Sequence, residues 1–153
     1  MPLSKLEARP CRPRECRPVV TGIIETALHV RDLPRSIEFY QQIFGLEIIE
    51  RNDRLCALSV ARRNVLLLFL EGASASPVDI PGGRIPPHGS GGSIHFAFSV
   101  DRSEIAVWEQ FLARKGVVIE GRVQWDRGGT SLYFRDPDGH LVELATPGLW
   151  SVY

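Results

Sequence analysis

Apolar and polar positions change their spacing along this chain, and each change predicts the start of a new element. Between residues 22 and 30, apolar side chains alternate with polar ones, which is typical of a half-buried strand. Between residues 32 and 45 the spacing becomes helical, with Asp32 as a capping residue, Pro34 in the first turn and Gly45 at the end. Three strand-like runs then complete a βαβββ order, and they cover residues 46–52, 55–61 and 64–70.

The same order of elements returns in the second half of the chain. Residues 71–92 are rich in Gly, Pro and Ser, and they predict a long loop with no helix or strand of its own. Placing one half on the other aligns residues 25–30 with residues 95–100, so Glu25 and His95 take equivalent positions. The predicted fold class is α+β, with two βαβββ modules at about residues 21–71 and 93–148.

The length and charge of the chain limit what it is expected to bind. Its 153 residues predict one compact domain, covering residues 21–153, after a flexible arm at residues 1–20 that contains four prolines. The 18 basic and 18 acidic residues cancel and form no long run of one sign. This balance argues against nucleic acid or an anionic membrane as a partner and favours a small-molecule substrate.

Cysteine usage and hydropathy indicate a cytoplasmic protein. The three cysteines are an odd number, and Cys11 and Cys16 lie in the Pro- and Arg-rich arm, so a disulfide scaffold is not expected. No apolar stretch approaches the roughly 20 residues that cross a bilayer, and the N-terminus has no apolar core of the signal-peptide kind.

Three polar side chains on predicted strands have the chemistry to hold a metal or move a proton. Glu25 and His29 fall on one face of the first strand, since alternate residues of a strand point the same way. Glu143 falls on the last strand, between Leu141 and Leu144. Burying a carboxylate there costs on the order of a few kcal/mol unless a cation or hydrogen bonds compensate its charge. The last strand therefore predicts a ligand-binding position at Glu143.

Two segments of this repeat resemble a known family. They are VRDLPRSIEFYQQIFGLE at residues 30–47 and SLYFRDPDGHLVEL at residues 131–144. Together with the doubled βαβββ order, they are similar to the vicinal oxygen chelate superfamily, which includes glyoxalase I, fosfomycin-resistance enzymes, extradiol dioxygenases and bleomycin-resistance proteins. The resemblance spans about residues 21–148. It implies that the mixed sheets curl into a cup with the helices outside, and that a divalent metal is held in the cup.

The resemblance also implies which residues hold the metal. Family ligands lie on the first strand of each module and on the last strand of one or both, which selects Glu25, His95 and Glu143. The first-module match to Glu143 is Leu68, which cannot coordinate a metal, so open positions are left for water and substrate. One imidazole and two carboxylates favour Mn²⁺, Fe²⁺ or Mg²⁺ and are compatible with Zn²⁺ or Ni²⁺. Family members have histidine or glutamine where Glu25 stands, so His29 is an alternative first-strand ligand.

The same resemblance suggests further roles around the metal. Ser131 and Tyr133 are expected to contact the substrate, and His29 is expected to line the cup. Glu143 and Glu25 are also expected to be catalytic, as groups that transfer a proton.

Several of these residues also have a purely structural interpretation. Glu25 could pair with an arginine, and His95, between apolar neighbours, could be a hydrogen-bonded core histidine. His140 is expected to be a surface or turn residue that faces away from the cup, and His88 is expected to be a solvated loop residue.

Three classes of function fit this sequence. The leading hypothesis is a divalent-metal-dependent enzyme of the glyoxalase/dioxygenase superfamily, a lyase, isomerase or oxygenase, that acts on a small oxygen-bearing substrate. Fosfomycin chemistry is disfavoured because Ala27 stands where a hydroxyl residue is expected. The second hypothesis is a metal-free binding protein like the bleomycin-resistance proteins, and the third is a fold used for assembly or regulation. A homodimer is expected, because apolar residues Leu149, Trp150 and Tyr153 near the C-terminus look free to cover a neighbour.

Overall fold

A computed structural model describes residues 20–89 and 91–153 of the chain. Most of the predicted arm, including Cys11 and Cys16, lies outside the described residues, whereas Cys56 is a buried free thiol. Neither of the α-helices in the described part is long and apolar enough to cross a membrane. In chain order the elements are β1 (Glu25–Val30), α1 (Leu33–Phe44), β2 (Glu47–Arg51), β3 (Leu55–Val60), β4 (Asn64–Leu70), β5 (Val78–Ile80), β6 (Gly83–Ile85), β7 (His95–Ser99), α2 (Ile105–Arg114), β8 (Ile119–Gln124), β9 (Thr130–Arg135) and β10 (Leu141–Ala145).

The first module folds as the spacing of its apolar residues predicts. Its four-stranded sheet has the order β1-β4-β3-β2, with β1 parallel to β4 and the other pairs antiparallel. The Asp32 carboxylate accepts a hydrogen bond from the Arg35 backbone N–H at 3.0 Å and caps α1. Gly45 ends the helix in the left-handed region, at φ 65°, where a side chain would be strained. One face of α1 then packs on a core of Leu28, Val30, Leu58, Leu66 and Leu68.

The second module repeats the first. Its sheet has the order β7-β10-β9-β8, with the same parallel pairing of first and last strands. The core behind this sheet consists of Leu112, Leu132, Phe134, Val142 and Leu144. This confirms the predicted α+β fold of two four-stranded mixed sheets with a helix packed on each.

Residues of the segment DPDGH tie the second module to the first. The Tyr40 hydroxyl donates to the buried carboxylate of Asp136 at 2.7 Å, and the Ser36 hydroxyl donates to Asp138 at 2.7 Å. Phe44 extends the contact, since its ring lies 4.6 Å from the ring of Phe98 in the second module. His140 is fully buried beside these groups, so the prediction of a surface or turn position for it is wrong. The modules therefore share one continuous polar and aromatic interface.

The segment between the modules contains a small hairpin. Val78 pairs with Ile85 and Asp79 with Arg84, so β5 and β6 form a two-stranded sheet. The prediction that residues 71–92 hold no element of their own is therefore wrong. Strands of three residues are too short to produce a visible alternation in a segment rich in Gly and Pro.

Candidate active site

Two of the predicted ligands, His95 and Glu143, lie together on the face of the second sheet that points away from the hydrophobic core. Along β7, Phe96 and Phe98 turn towards the core, so His95 projects from the opposite face. On the neighbouring strand β10, Leu141 pairs with His95, and Glu143 lies two residues further along on the same face. The side chain of Glu143 is only 5% exposed, so its charge needs compensating partners.

Two hydroxyl groups of β9 bind one oxygen of this carboxylate. Ser131 donates to Oε1 of Glu143 at 2.5 Å, and Tyr133 donates to the same oxygen at 3.1 Å. Burial raises the pKa of the Tyr133 phenol, and the Glu143 carboxylate acts in the same direction, so the phenol stays protonated and able to donate. The other oxygen of Glu143, Oε2, is left to face His95.

The imidazole of His95 is oriented by the backbone. Its Nδ1 lies 3.1 Å from the carbonyl oxygen of Leu141, and since a carbonyl only accepts, Nδ1 must carry a hydrogen. Its Nε2 lies 3.1 Å from Oε2 of Glu143. Nε2 and Oε2 therefore converge on one position, where a single cation could contact both atoms.

This arrangement fits a divalent metal. Metal-binding histidines commonly donate their other ring N–H to a backbone carbonyl, as His95 does to Leu141. The imidazole side chain is 50% exposed, so an ion and a small molecule have access to the pair. His95 and Glu143 would supply one nitrogen and one oxygen to the ion.

Glu25 lies apart from this pair. It is exposed on β1 and lines a cleft of about 450 Å³ together with Thr26, Arg63 and Asn64 of its own module and the stretch Phe96–Ser99 of the second. Within residues 20–89 and 91–153, no three His, Cys, Asp or Glu side chains come close enough to hold one ion. One chain thus brings together two of the three predicted ligands.

His29 is occupied by a different set of contacts. Its Nε2 donates to the hydroxyl of buried Ser74 at 3.0 Å, and that hydroxyl donates to the backbone carbonyl of His88 at 2.6 Å. The ring also stacks on Phe69 with centroids 5.8 Å apart. Burial, followed by the neighbouring His88, lowers the pKa of His29, so the ring is neutral at physiological pH. His29 therefore docks the long loop against the first sheet.

The first-module counterpart of Glu143 is Leu67, and the match to Leu68 is wrong by one residue. Glu143 pairs with Ala97 of β7, and the equivalent residue of β1, Ala27, pairs with Leu67. A shift of one residue moves a side chain to the other face of a strand, and Leu68 is fully buried in the core. Leucine at this position still means that the first module supplies no ligand from its last strand.

Trp125, which follows β8, also contacts this group of residues, and no motif in the sequence marks it. Its indole Nε1–H donates to the hydroxyl of Ser131 at 2.8 Å, and Ser131 in turn donates to Glu143. The one signal in the sequence is a large aromatic residue immediately before the polar turn of residues 126–129.

Comparisons with known proteins agree with the fold described above. The family model described as Glyoxalase/Bleomycin resistance protein/Dioxygenase superfamily matches residues 22–144. The metallothiol transferase FosB of Staphylococcus saprophyticus is 32% identical over 129 residues, which cover 84% of this chain and 78% of that protein. The catechol-2,3-dioxygenase of Bacillus subtilis is 30% identical over 126 residues, which cover 81% of this chain and 41% of that enzyme.

Among solved structures, the lactoylglutathione lyase from Agrobacterium tumefaciens has a similar fold. It is 34% identical in sequence with a TM-score of 0.78, over 86% of this chain and 98% of the other. This similarity extends over both modules, so the pairing of two βαβββ units is shared as well as the fold of each.

Proposed function

We propose that this chain, which belongs to the Glyoxalase/Bleomycin resistance protein/Dioxygenase superfamily, is a divalent-metal-dependent enzyme acting on a small oxygen-bearing molecule. The observation that carries the proposal is the convergence of Nε2 of His95 and Oε2 of Glu143 at 3.1 Å. Nδ1 of His95 and Oε1 of Glu143 are already hydrogen-bonded to other groups. The remaining atoms, Nε2 and Oε2, are therefore the ones that can hold a cation.

In this proposal the residues of the second sheet have distinct tasks. His95 and Glu143 hold the ion, and a bound divalent ion supplies a Lewis acid that polarises neighbouring substrate oxygens. Ser131 and Tyr133 keep one Glu143 oxygen fixed, so the carboxylate presents a single oxygen in a constant direction. The Tyr133 ring lies 6.0 Å from the His95 ring and borders the space that a substrate would enter.

Glu25 completes the site from a second copy of the chain. Because Glu25 is not grouped with His95 and Glu143 in one chain, its role as a ligand requires a homodimer. Its neighbours Ile23 and Ile24 are 81% and 69% exposed, which suits a surface that another copy covers.

The reaction proposed first is an isomerisation or lyase reaction of the lactoylglutathione lyase kind. Support comes from the likeness to the Agrobacterium enzyme, which extends over 98% of that chain, whereas the matched catechol dioxygenase is covered over only 41% of its length. Thiol transfer is the second reaction we propose, because FosB is similar over 78% of its length. Proton transfer in either reaction is assigned to Glu143 or Glu25, which lie at the proposed ion.

A metal-free binding function is the second candidate. It is favoured by the presence of only two of the three predicted ligands in one place, since the direct contact between His95 and Glu143 gives each group a partner without an ion. In that case the exposed faces of the two sheets would enclose a ligand without an ion.

Metal analysis separates these two candidates. The purified protein is dialysed against Mn²⁺, Fe²⁺, Zn²⁺, Ni²⁺ or Mg²⁺ in turn, and bound metal is measured for wild type, His95→Ala and the control His88→Ala. We expect about one ion per site in wild type and in the control, and a loss of at least about tenfold in affinity for His95→Ala. Uptake well below one ion per site for every metal, or uptake that His95→Ala leaves unchanged, would favour the metal-free binding protein.

A further inference from the structure

We infer that Trp125 is a positioning residue that acts through Ser131 to determine which oxygen of Glu143 faces the proposed metal. The inference rests on the proposed function. Its basis is a directed series of hydrogen bonds: the indole Nε1–H donates to Ser131 at 2.8 Å, and the Ser131 hydroxyl donates to Oε1 of Glu143 at 2.5 Å. Trp125 itself touches neither His95 nor Glu143 through a hydrogen bond among the described residues.

The indole group restricts the direction in which the Ser131 hydroxyl can donate its hydrogen. A hydroxyl has one hydrogen to donate and can rotate to suit its surroundings. Ser131 is fully buried, and the donor at Trp125 occupies its acceptor side, so its own hydrogen is directed to Glu143. Hydrogen bonds arranged in series also strengthen one another. Oε1 is therefore held, and Oε2 stays on the side of His95.

The turn that carries Trp125 is itself held on both sides. The Trp125 backbone N–H donates to the carbonyl of Gly129 at 2.8 Å, and the Gly128 N–H donates to the carbonyl of Trp125 at 2.8 Å. A Cβ added at Gly129 would lie 2.6 Å from the backbone carbon of Gly148, so the C-terminal segment packs directly on this turn. The indole is thus placed by rigid backbone.

The first test removes the indole donor and keeps an aromatic ring. Affinity for Co²⁺ is measured by titration in the full-length protein, and the visible absorption of the bound Co²⁺ reports its coordination. We expect Trp125→Phe to weaken binding by about tenfold, the lower end of the range for residues that support a metal ligand, and to alter the spectrum. The matched control is Trp150→Phe, because Trp150 is 67% exposed, and it should change neither.

A double-mutant cycle tests whether Trp125 acts through Ser131. In a Ser131→Ala background the hydroxyl is gone, so Trp125→Phe should weaken Co²⁺ binding no further. Additive losses would mean that Trp125 affects the site by another route, and an unchanged affinity in Trp125→Phe alone would overturn the inference outright.

A measurement on the metal-free protein separates this inference from the proposed function. The indole N–H resonance of Trp125 in a ¹H–¹⁵N spectrum should move in Ser131→Ala, while the resonance of Trp150 stays in place. If wild type binds no metal, the metal-dependent function fails, and the contact to Ser131 is then judged by this resonance alone. If Ser131→Ala leaves the Trp125 resonance in place, Trp125 does not contact Ser131 and the inference is overturned. This outcome is decisive even if Trp125→Phe does not fold.

Discussion

His140 donates through Nε2 to the backbone carbonyl of His29 at 2.9 Å, so a side chain of the second module binds the first strand of the first. Its Nδ1 accepts the backbone N–H of Ile94 at 3.1 Å, which fixes the hydrogen on Nε2. The histidine of the DPDGH segment thus joins the edges of β1 and β7.

Replacing this histidine should destabilise the protein. His140→Ala leaves the Ile94 N–H and the His29 carbonyl without partners and opens a cavity at a fully buried position. We expect a loss of about 2–4 kcal/mol in the free energy of unfolding, measured by urea denaturation. His88→Ala, at an exposed histidine, serves as the control. Equal stability of the two variants would show that the contact between the modules contributes little.

The pH dependence of stability should report a second contact between the modules. Burial acts against ionisation of Asp138, but hydrogen bonds from the Arg31 backbone N–H and the Ser36 hydroxyl, with the Arg31 charge, hold its pKa below the usual value. A carboxylate whose folded-state pKa is depressed stabilises the fold above its unfolded pKa of about 3.9, and this contribution disappears as the pH falls through the lower folded value.

The measurement compares urea midpoints at pH 5 and pH 3 for wild type and Asp138→Asn. Wild type should lose more stability than the variant over this interval, because the variant has no charge at this position to neutralise. Loss of equal size in both proteins would mean that other carboxylates determine the acid sensitivity.

The sequence predicted the fold and the closeness of His95 to Glu143 for identifiable physical reasons. Alternation and helical spacing persist over whole elements, so both modules were visible, and Glu143 stood out because a carboxylate on an apolar strand needs a partner. The contact of Trp125 to Ser131 is not visible in the sequence because it depends on how the turn between β8 and β9 folds back. The match to Leu68 is off by one residue because the sequence alone does not fix the register between β4 and β1, and one residue decides the strand face.

The docking of the long loop on His29 should depend on the absence of a side chain at Gly89. A Cβ there would lie 1.8 Å from Cε1 of His29, and the backbone φ of 65° already disfavours alanine. Gly89→Ala should therefore displace the ring and release the segment held by Ser74 and His88.

Hydrogen–deuterium exchange across residues 71–88 measures this release. Gly82→Ala is the matched control, because Gly82 lies in the same loop and a Cβ there meets no atom within 4 Å. We expect exchange of the His88 amide, which donates to the Ser74 carbonyl at 2.9 Å, to accelerate at least about tenfold in Gly89→Ala, as for loss of roughly 1.4 kcal/mol of local stability, and to stay unchanged in the control. Unchanged exchange in both variants would mean that His29 does not hold the loop.

The contribution of Glu25 from a second copy can be tested by mixing two inactive variants. Glu25→Ala and Glu143→Ala should each bind metal poorly alone. In a mixed dimer, one of the two sites would combine the intact Glu25 of one chain with the intact Glu143 of the other, while the second site would lack both.

After unfolding and refolding an equal mixture, we expect about a quarter of the wild-type metal capacity, since half of the dimers are mixed and each has one intact site. If each site is built within one chain, mixing restores nothing. If Glu25→Ala alone binds metal as well as wild type, Glu25 is not a ligand, and repeating the titration with His29→Ala tests the alternative first-strand residue.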